Sequence, residues 1–292
     1  MSKIEHDEIT GTATTGHEWD GIKELNTPLP KWWIYTFYGT VIWALAYTVA
    51  YPAWPLINGA TPGLLGYSSR ADVAQDIAAA KTAQGAQLEK IAATNVEDIL
   101  KDQELLTFAR AGGAAAFKVN CVQCHGSGAA GSPGYPNLND DDWLWGGTAE
   151  DIHTTLQNGI RYTLNGDTRD SQMPAFGVDG LLTPEQIGDV ANHVVSLSGG
   201  AADAAAAARG ADLYAENCAS CHGEDGKGMR ELGGPNLADA IWLFGGTVDE
   251  VKAQIHKPRH GVMPAWSGRL DEATIKQLAV YVHTLGGGEA AQ

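Results

Sequence analysis

From Trp32 to Trp54 the chain reads WWIYTFYGTVIWALAYTVAYPAW, a run without Asp, Glu, Lys, Arg or His. At about 1.5 Å per residue such a helix extends roughly 34 Å, enough for a hydrocarbon layer of about 30 Å. Aromatic residues gather at both ends (Trp32, Trp33 and Tyr35; Tyr47, Tyr51 and Trp54), where a membrane interface favours them. The pattern predicts a transmembrane helix over 32–54. It is too long, and too far from the start, for a cleaved signal peptide. Residues 1–31 are polar and acidic and predict a mostly unstructured tail. After the span comes a Pro-, Gly- and Ser-containing loop. Val73, Ile77, Leu88 and Ile91 then recur among alanines and charges, predicting an amphipathic helix from Arg70 to about Thr94 within a linker over 55–104.

Beyond about Leu105 the chain repeats itself. NCVQCHG, PNL, WLWGGT, MPAF and ANHVVSLSGG are followed in the same order by NCASCHG, PNL, WLFGGT, MPAW and AVYVHTLGG. Five matched blocks indicate two duplicated units, over 105–200 and 206–288. Each opens on a helix that places an aromatic residue, Phe117 or Tyr214, four positions before the first cysteine. Each closes on another helix, the first begun by the capping-box signature of Thr183, Pro184 and Gln186 and the second near Asp271. No β-hairpin signal of the Asn-Gly kind is evident. The fold class expected is therefore mainly α, with long loops.

All four cysteines fall in two C-x-x-C-H pentads, Cys121, Cys124 and His125, then Cys218, Cys221 and His222. This is the attachment signature of c-type haem, in which two thioethers hold the porphyrin and the adjacent imidazole meets the iron. A zinc site, a redox dithiol and plain disulfides compete with it. Zinc is poorly served by pentads so far apart, and a dithiol by the missing βαβ context. Met173 and Met263 stand in Met-Pro-Ala at matching places in the repeat and are the candidate sixth ligands; Met1 initiates and Met229 lies in a polar loop. By default each methionine serves its own unit, with exchange between units left open. His153, His193, His256, His260 and His283 are the alternatives to a methionine ligand. Trp143, Trp242, Pro136 and Pro235 read as packing beside the porphyrin. A site saturated by imidazole and sulfur passes electrons without bond chemistry, so no catalytic residue is expected.

Nineteen Lys and Arg against 35 Asp and Glu leave a net charge of -16, which excludes a nucleic-acid surface and suits a basic protein partner whose association weakens with salt. Lys23 and Lys31 precede the apolar run, while the first basic residue after it is Arg70, favouring an internal N-terminus.

One apolar run before tandem C-x-x-C-H units, together with GIKELNTPLPKWW ahead of it and the CHG, PNL, WLxGGT and MPA blocks, resembles the dihaem subunit of cbb3-type cytochrome c oxidases. That resemblance implies two tandem class I cytochrome c domains behind a single-pass anchor, and two covalent haem c groups. Cys121, Cys124, Cys218 and Cys221 would form the thioethers; His125, Met173, His222 and Met263 would be the axial ligands. It further implies an inner-membrane location with the N-terminus cytoplasmic and the haem domains periplasmic. A donor cytochrome c would supply the electrons, and the monohaem subunit would carry them on to the catalytic haem-copper subunit. A free membrane-anchored dihaem shuttle, a dihaem peroxidase and an acceptor subunit of a periplasmic dehydrogenase are the rival functions.

Overall fold

The computed structural model describes residues 5–290, in two compact units that divide at residues 83 and 84. The first unit opens on a hairpin, not the unstructured tail expected over 1–31. Strand β1 (Thr14–Trp19) pairs antiparallel with β2 (Ile22–Leu25). The turn between them is Asp20-Gly21, with φ of 50° and 84°, the positive pair that a two-residue type I′ turn requires and that Asp-Gly supplies. This is the hairpin signal that the sequence reading passed over, because polar strands do not show apolar alternation.

Helix α1 (Lys31–Ala50) covers most of the apolar run and buries no residue within the chain. It stops short of Trp54, because Pro55–Leu56 (β3) and Gly59–Ala60 (β4) form a small hairpin after it. The amides of Leu64 and Leu65 fold back onto the carbonyls of Val49 and Ala50, satisfying the end of the helix. On mean hydropathy, no helix among the described residues is long and apolar enough to cross a membrane. The reason lies in composition: three Trp, three Tyr and three Thr occupy nine of the twenty positions of α1, and such residues score as polar on that scale. Helix α2 (Ser69–Ala93) follows as expected, but Val73 and Ile77 are exposed and only Ile91, near its end, is fully buried.

The second unit contains α3 (Val96–Lys101), α4 (Gln103–Asn120), α5 (Val122–His125), α6 (Ala149–Asn158), α7 (Pro184–Leu197), α8 (Ala204–Asn217), α9 (Ala219–His222), a 3-10 turn (Arg230–Leu232), α10 (Val248–His256) and α11 (Glu272–His283). The expected caps are present. Thr183 and Gln186 form the capping box and Asp271 accepts from the Thr274 amide; Asp102, a cap the sequence reading did not name, accepts from the amides of Glu104 and Leu105. Helix α3 has no counterpart in the sequence reading. Ile91, Val96 and Ile99, within the stretch read as linker, are fully buried in a core.

Two cores result, and they do not follow the repeats in chain order. One gathers α3, α4 and α6 with Ala273, Ile275, Leu278, Ala279, Val280 and Val282 of α11. The other gathers Ile187, Val190, Ala191, Val194 and Val195 of α7 with Tyr214 of α8 and Val251 and Ile255 of α10. The closing helix of each repeat thus packs on the opening helix of the other. Glycines mark both crossings. A Cβ on Gly113 would lie 2.6 Å from Tyr281 Cβ and 2.8 Å from the Gln277 carbonyl carbon; one on Gly210 would lie 2.8 Å from the Val190 nitrogen. Both glycines stand four residues before the aromatic residue that precedes a pentad, so the repeats supply equivalent crossing points while exchanging partners.

Candidate functional site

Each pentad sits at the end of its opening helix. Cys121 caps α4 and Cys218 caps α8; in each pair the first cysteine is buried and the second exposed. The chain then turns back at Gly126 and Gly223, with φ of 78° and 79°, which a residue bearing a Cβ adopts at a cost. That turn lays the Pro-Asn-Leu segment over the histidine. The Nδ1–H of His125 donates to the Pro136 carbonyl at 3.1 Å, and that of His222 to the Pro235 carbonyl at 3.0 Å. A hydrogen bond there fixes the tautomer and ring plane and leaves Nε2 to present its lone pair, as in metal-bound histidines held by a carbonyl behind them. Burial holds both imidazoles below their usual pKa, opposed by the proline carbonyls.

The cysteines do not form a disulfide in either pentad. Burial, followed by the neighbouring cysteine, pushes the Cys121 and Cys218 thiols up to about 11. A thiol held protonated is a poor nucleophile for redox exchange. Among the described residues no group of three or more His, Cys, Asp or Glu is arranged to hold a metal ion. Two thiols and one oriented imidazole on a single helical turn do suit a porphyrin anchored by thioethers and ligated from one face.

Each methionine packs across the repeats, not within its own. Met263 packs against the core that holds Cys121, and Met173 against the core that holds Cys218. Ile160 and Met263 exchange two backbone hydrogen bonds, 2.9 and 3.0 Å, at the end of α6. The Trp266 amide donates to the Leu156 carbonyl, and Ser267 Oγ to the Gln157 carbonyl. The physical cause lies in the loop after α6, which leads onward to the second core. The segment carrying Met263 and helix α11 pack on the first core instead.

Trp143 packs in the first core, its Nε1–H donating to Gly287 O at 2.6 Å, and Trp242 packs in the second. Four of the five alternative histidines have side-chain partners, and His256 is tied through its backbone. His153 Nε2 meets Glu272 at 3.0 Å, His283 Nε2 meets Glu289 O at 2.8 Å, and His193 stacks obliquely on Tyr214. The Met173 amide donates to His260 Nε2 at 3.1 Å, and His256 offers its carbonyl to the amides of Gly177 and Val178. The sequence reading missed two arginines that stand four residues before each methionine. Arg169 lies over the Trp145 ring, centroid 5.6 Å, and also donates to the Trp145 carbonyl; Arg259 lies over Phe244, centroid 4.6 Å, and donates to its carbonyl. Their equal spacing to Met173 and Met263 was the available signal.

Comparison with known proteins shows the family. Residues 11–58 match the N-terminal domain of cytochrome oxidase-cbb3, FixP; residues 111–198 match cytochrome c; and residues 205–282 match cytochrome C oxidase, cbb3-type, subunit III. The chain is 56% identical over 283 residues to the cbb3-type cytochrome c oxidase subunit FixP of Sinorhizobium medicae, covering 97% of each. It is 56% identical to subunit CcoP of Cereibacter sphaeroides, covering 94% of this chain and 95% of that one, and 53% identical to CcoP of Azospirillum brasilense, covering 99% and 100%. Cytochrome c domains carry covalently bound haem c, the cofactor that the pentads fit. The chain belongs to the FixP and CcoP family, the electron-transfer subunits of cbb3-type cytochrome c oxidases.

Proposed function

We propose that this subunit holds two haem c groups by Cys121 and Cys124 and by Cys218 and Cys221, with crossed axial pairs: His125 with Met263, and His222 with Met173. The observation that carries this reading is the packing of each Met-Pro-Ala segment against the core of the other repeat's pentad. Haem iron supplies reversible one-electron exchange. The chain's own part is to orient Nε2 through Pro136 and Pro235 and to close the opposite face with a thioether sulfur, a pairing that raises the reduction potential. With both axial positions filled, neither centre is left open to peroxide, so the peroxidase reading is not favoured.

In this proposal electrons enter from a donor cytochrome c and leave through the monohaem subunit to the haem-copper subunit. The net charge of -16 suits a basic donor surface. Helix α1 is the anchor in the bacterial inner membrane: it is about 30 Å long, has no ionisable Asp, Glu, Lys, Arg or His beyond Lys31, and buries nothing within the chain. Residues 55–292 would then be periplasmic.

Crossed ligation is tested in a full-length chain whose second pentad carries Cys218→Ala and Cys221→Ala, leaving one haem. Met263→His should lower the reduction potential of that haem and Met173→His should not. The opposite result would assign each methionine to its own repeat.

A further inference from the structure

The chain crosses from one core to the other twice, between α6 and Met173 and between α10 and Met263. The two crossings meet at Arg161. This half-buried side chain donates from Nε to Gly261 O at 2.7 Å and from Nη1 to Ser171 O at 3.1 Å. Gly261 and Ser171 each stand two residues before a methionine, Met263 and Met173 respectively. Arg161 itself has a φ of 52°, a left-handed conformation uncommon for residues other than glycine, so the surrounding structure must hold it there. A guanidinium presents its donors in a fixed fork, which allows one side chain to grip two strands at once. A second tie joins the same strands, from the Met173 amide to His260 Nε2, three residues before Met263.

We propose that Arg161 is a positioning residue that clasps both methionine-bearing strands, so that sulfur ligation of both irons depends on one side chain. The proposal rests on the crossed His–Met reading above. The two strands are not held equally. At the methionines themselves, Met263 has two backbone bonds with Ile160 and Met173 has one bond, from its amide to His260, while Ser171 Oγ also donates to Leu232 O at 2.6 Å. Loss of Arg161 therefore weakens both centres, and the one ligated by Met173 more.

The test uses the haem-loaded full-length chain in detergent, with redox titration of the c-type α band and the weak red band of ferric iron bound by methionine sulfur. Met173→His and Met263→His variants identify the two potentials. Arg161→Ala should diminish the red band and shift both potentials downward, the Met173 centre further. Arg161→Lys, a single ammonium without the fork, should restore one potential and not the other. His260→Ala, which leaves the clasp in place, should lower the Met173 centre alone. If the Arg161→Ala chain does not fold, the Arg161→Lys and His260→Ala results decide. Unchanged potentials and red band in Arg161→Ala would overturn the proposal. So would full recovery of both potentials in Arg161→Lys, which would reduce the residue to a point charge. If Met173→His and Met263→His move no potential, the ligation reading itself fails. If each moves one while Arg161→Ala moves none, ligation stands and the clasp falls.

Discussion

Gly113→Ala tests the exchange of helices directly. Gly113 lies where α4 crosses α11, and its added Cβ would meet Tyr281 Cβ at 2.6 Å, whereas ordinary contact begins near 3.4 Å. The helices would have to part by more than about 0.8 Å, because the Gln277 carbonyl oxygen lies closer still. That carbonyl belongs to the backbone and cannot turn aside. Overpacking of this kind costs about 1–3 kcal/mol, and the better helix propensity of alanine returns up to about 1 kcal/mol. A net loss of about 1–2 kcal/mol lowers Tm by about 2–8 °C for a unit of this size. Gly112→Ala is the control. Its nearest obstacle is the amide end of the Gln277 side chain, which can give way more readily than a backbone carbonyl, so Tm should fall less than in Gly113→Ala. Thermal melts of the haem-loaded chain, followed by far-ultraviolet circular dichroism, measure both. Because α11 follows Met263 in the chain, the same substitution should weaken sulfur ligation by Met263 and spare Met173. Equal melts for Gly112→Ala and Gly113→Ala, or loss of the Met173 centre instead, would refute this packing argument.

Two further outcomes follow from other parts of the fold. Gly21→Val should unmake the N-terminal turn, because φ of 84° excludes a β-branched residue; loss of hairpin amide protection in hydrogen exchange, with α1 unaffected, is the expected result. Burial, then the charges of Asp239 and Asp140, push the Asp142 carboxyl up to about 6. The folded state therefore resists its ionisation, so stability falls as pH rises from about 4 to 6. Asp142→Asn should leave stability unchanged near pH 4 and raise it at pH 7, by less than about 1 kcal/mol because water still reaches the side chain. A gain that is the same at both pH values would exclude this cause.

The repeat, the pentads, the caps at Thr183 and Asp271 and the matched methionines were all legible in residue order, because each depends on spacing within a few positions. Helix α3 was not, since Val96 and Ile99 form too short an apolar pattern to stand out from a linker, and only their burial against the first core reveals them. The Asp20-Gly21 turn was legible and was passed over. The arginines before Met173 and Met263 were equally visible as a matched pair.

Sequence by itself determined the chemistry: two thiols, an imidazole and a methionine, supplied twice, with a tyrosine or phenylalanine and a glycine set back at helical spacing to pack each opening helix. Such local patterns are fixed by covalent distance. Only the tertiary structure decided which Met-Pro-Ala segment packs against the core of which pentad. The two repeats offer nearly equivalent crossing helices, so residue pattern alone permits either pairing. The choice is made by the path of the loops after α6 and α10 and by the hydrogen bonds that Ile160, Arg161 and His260 make where those paths meet.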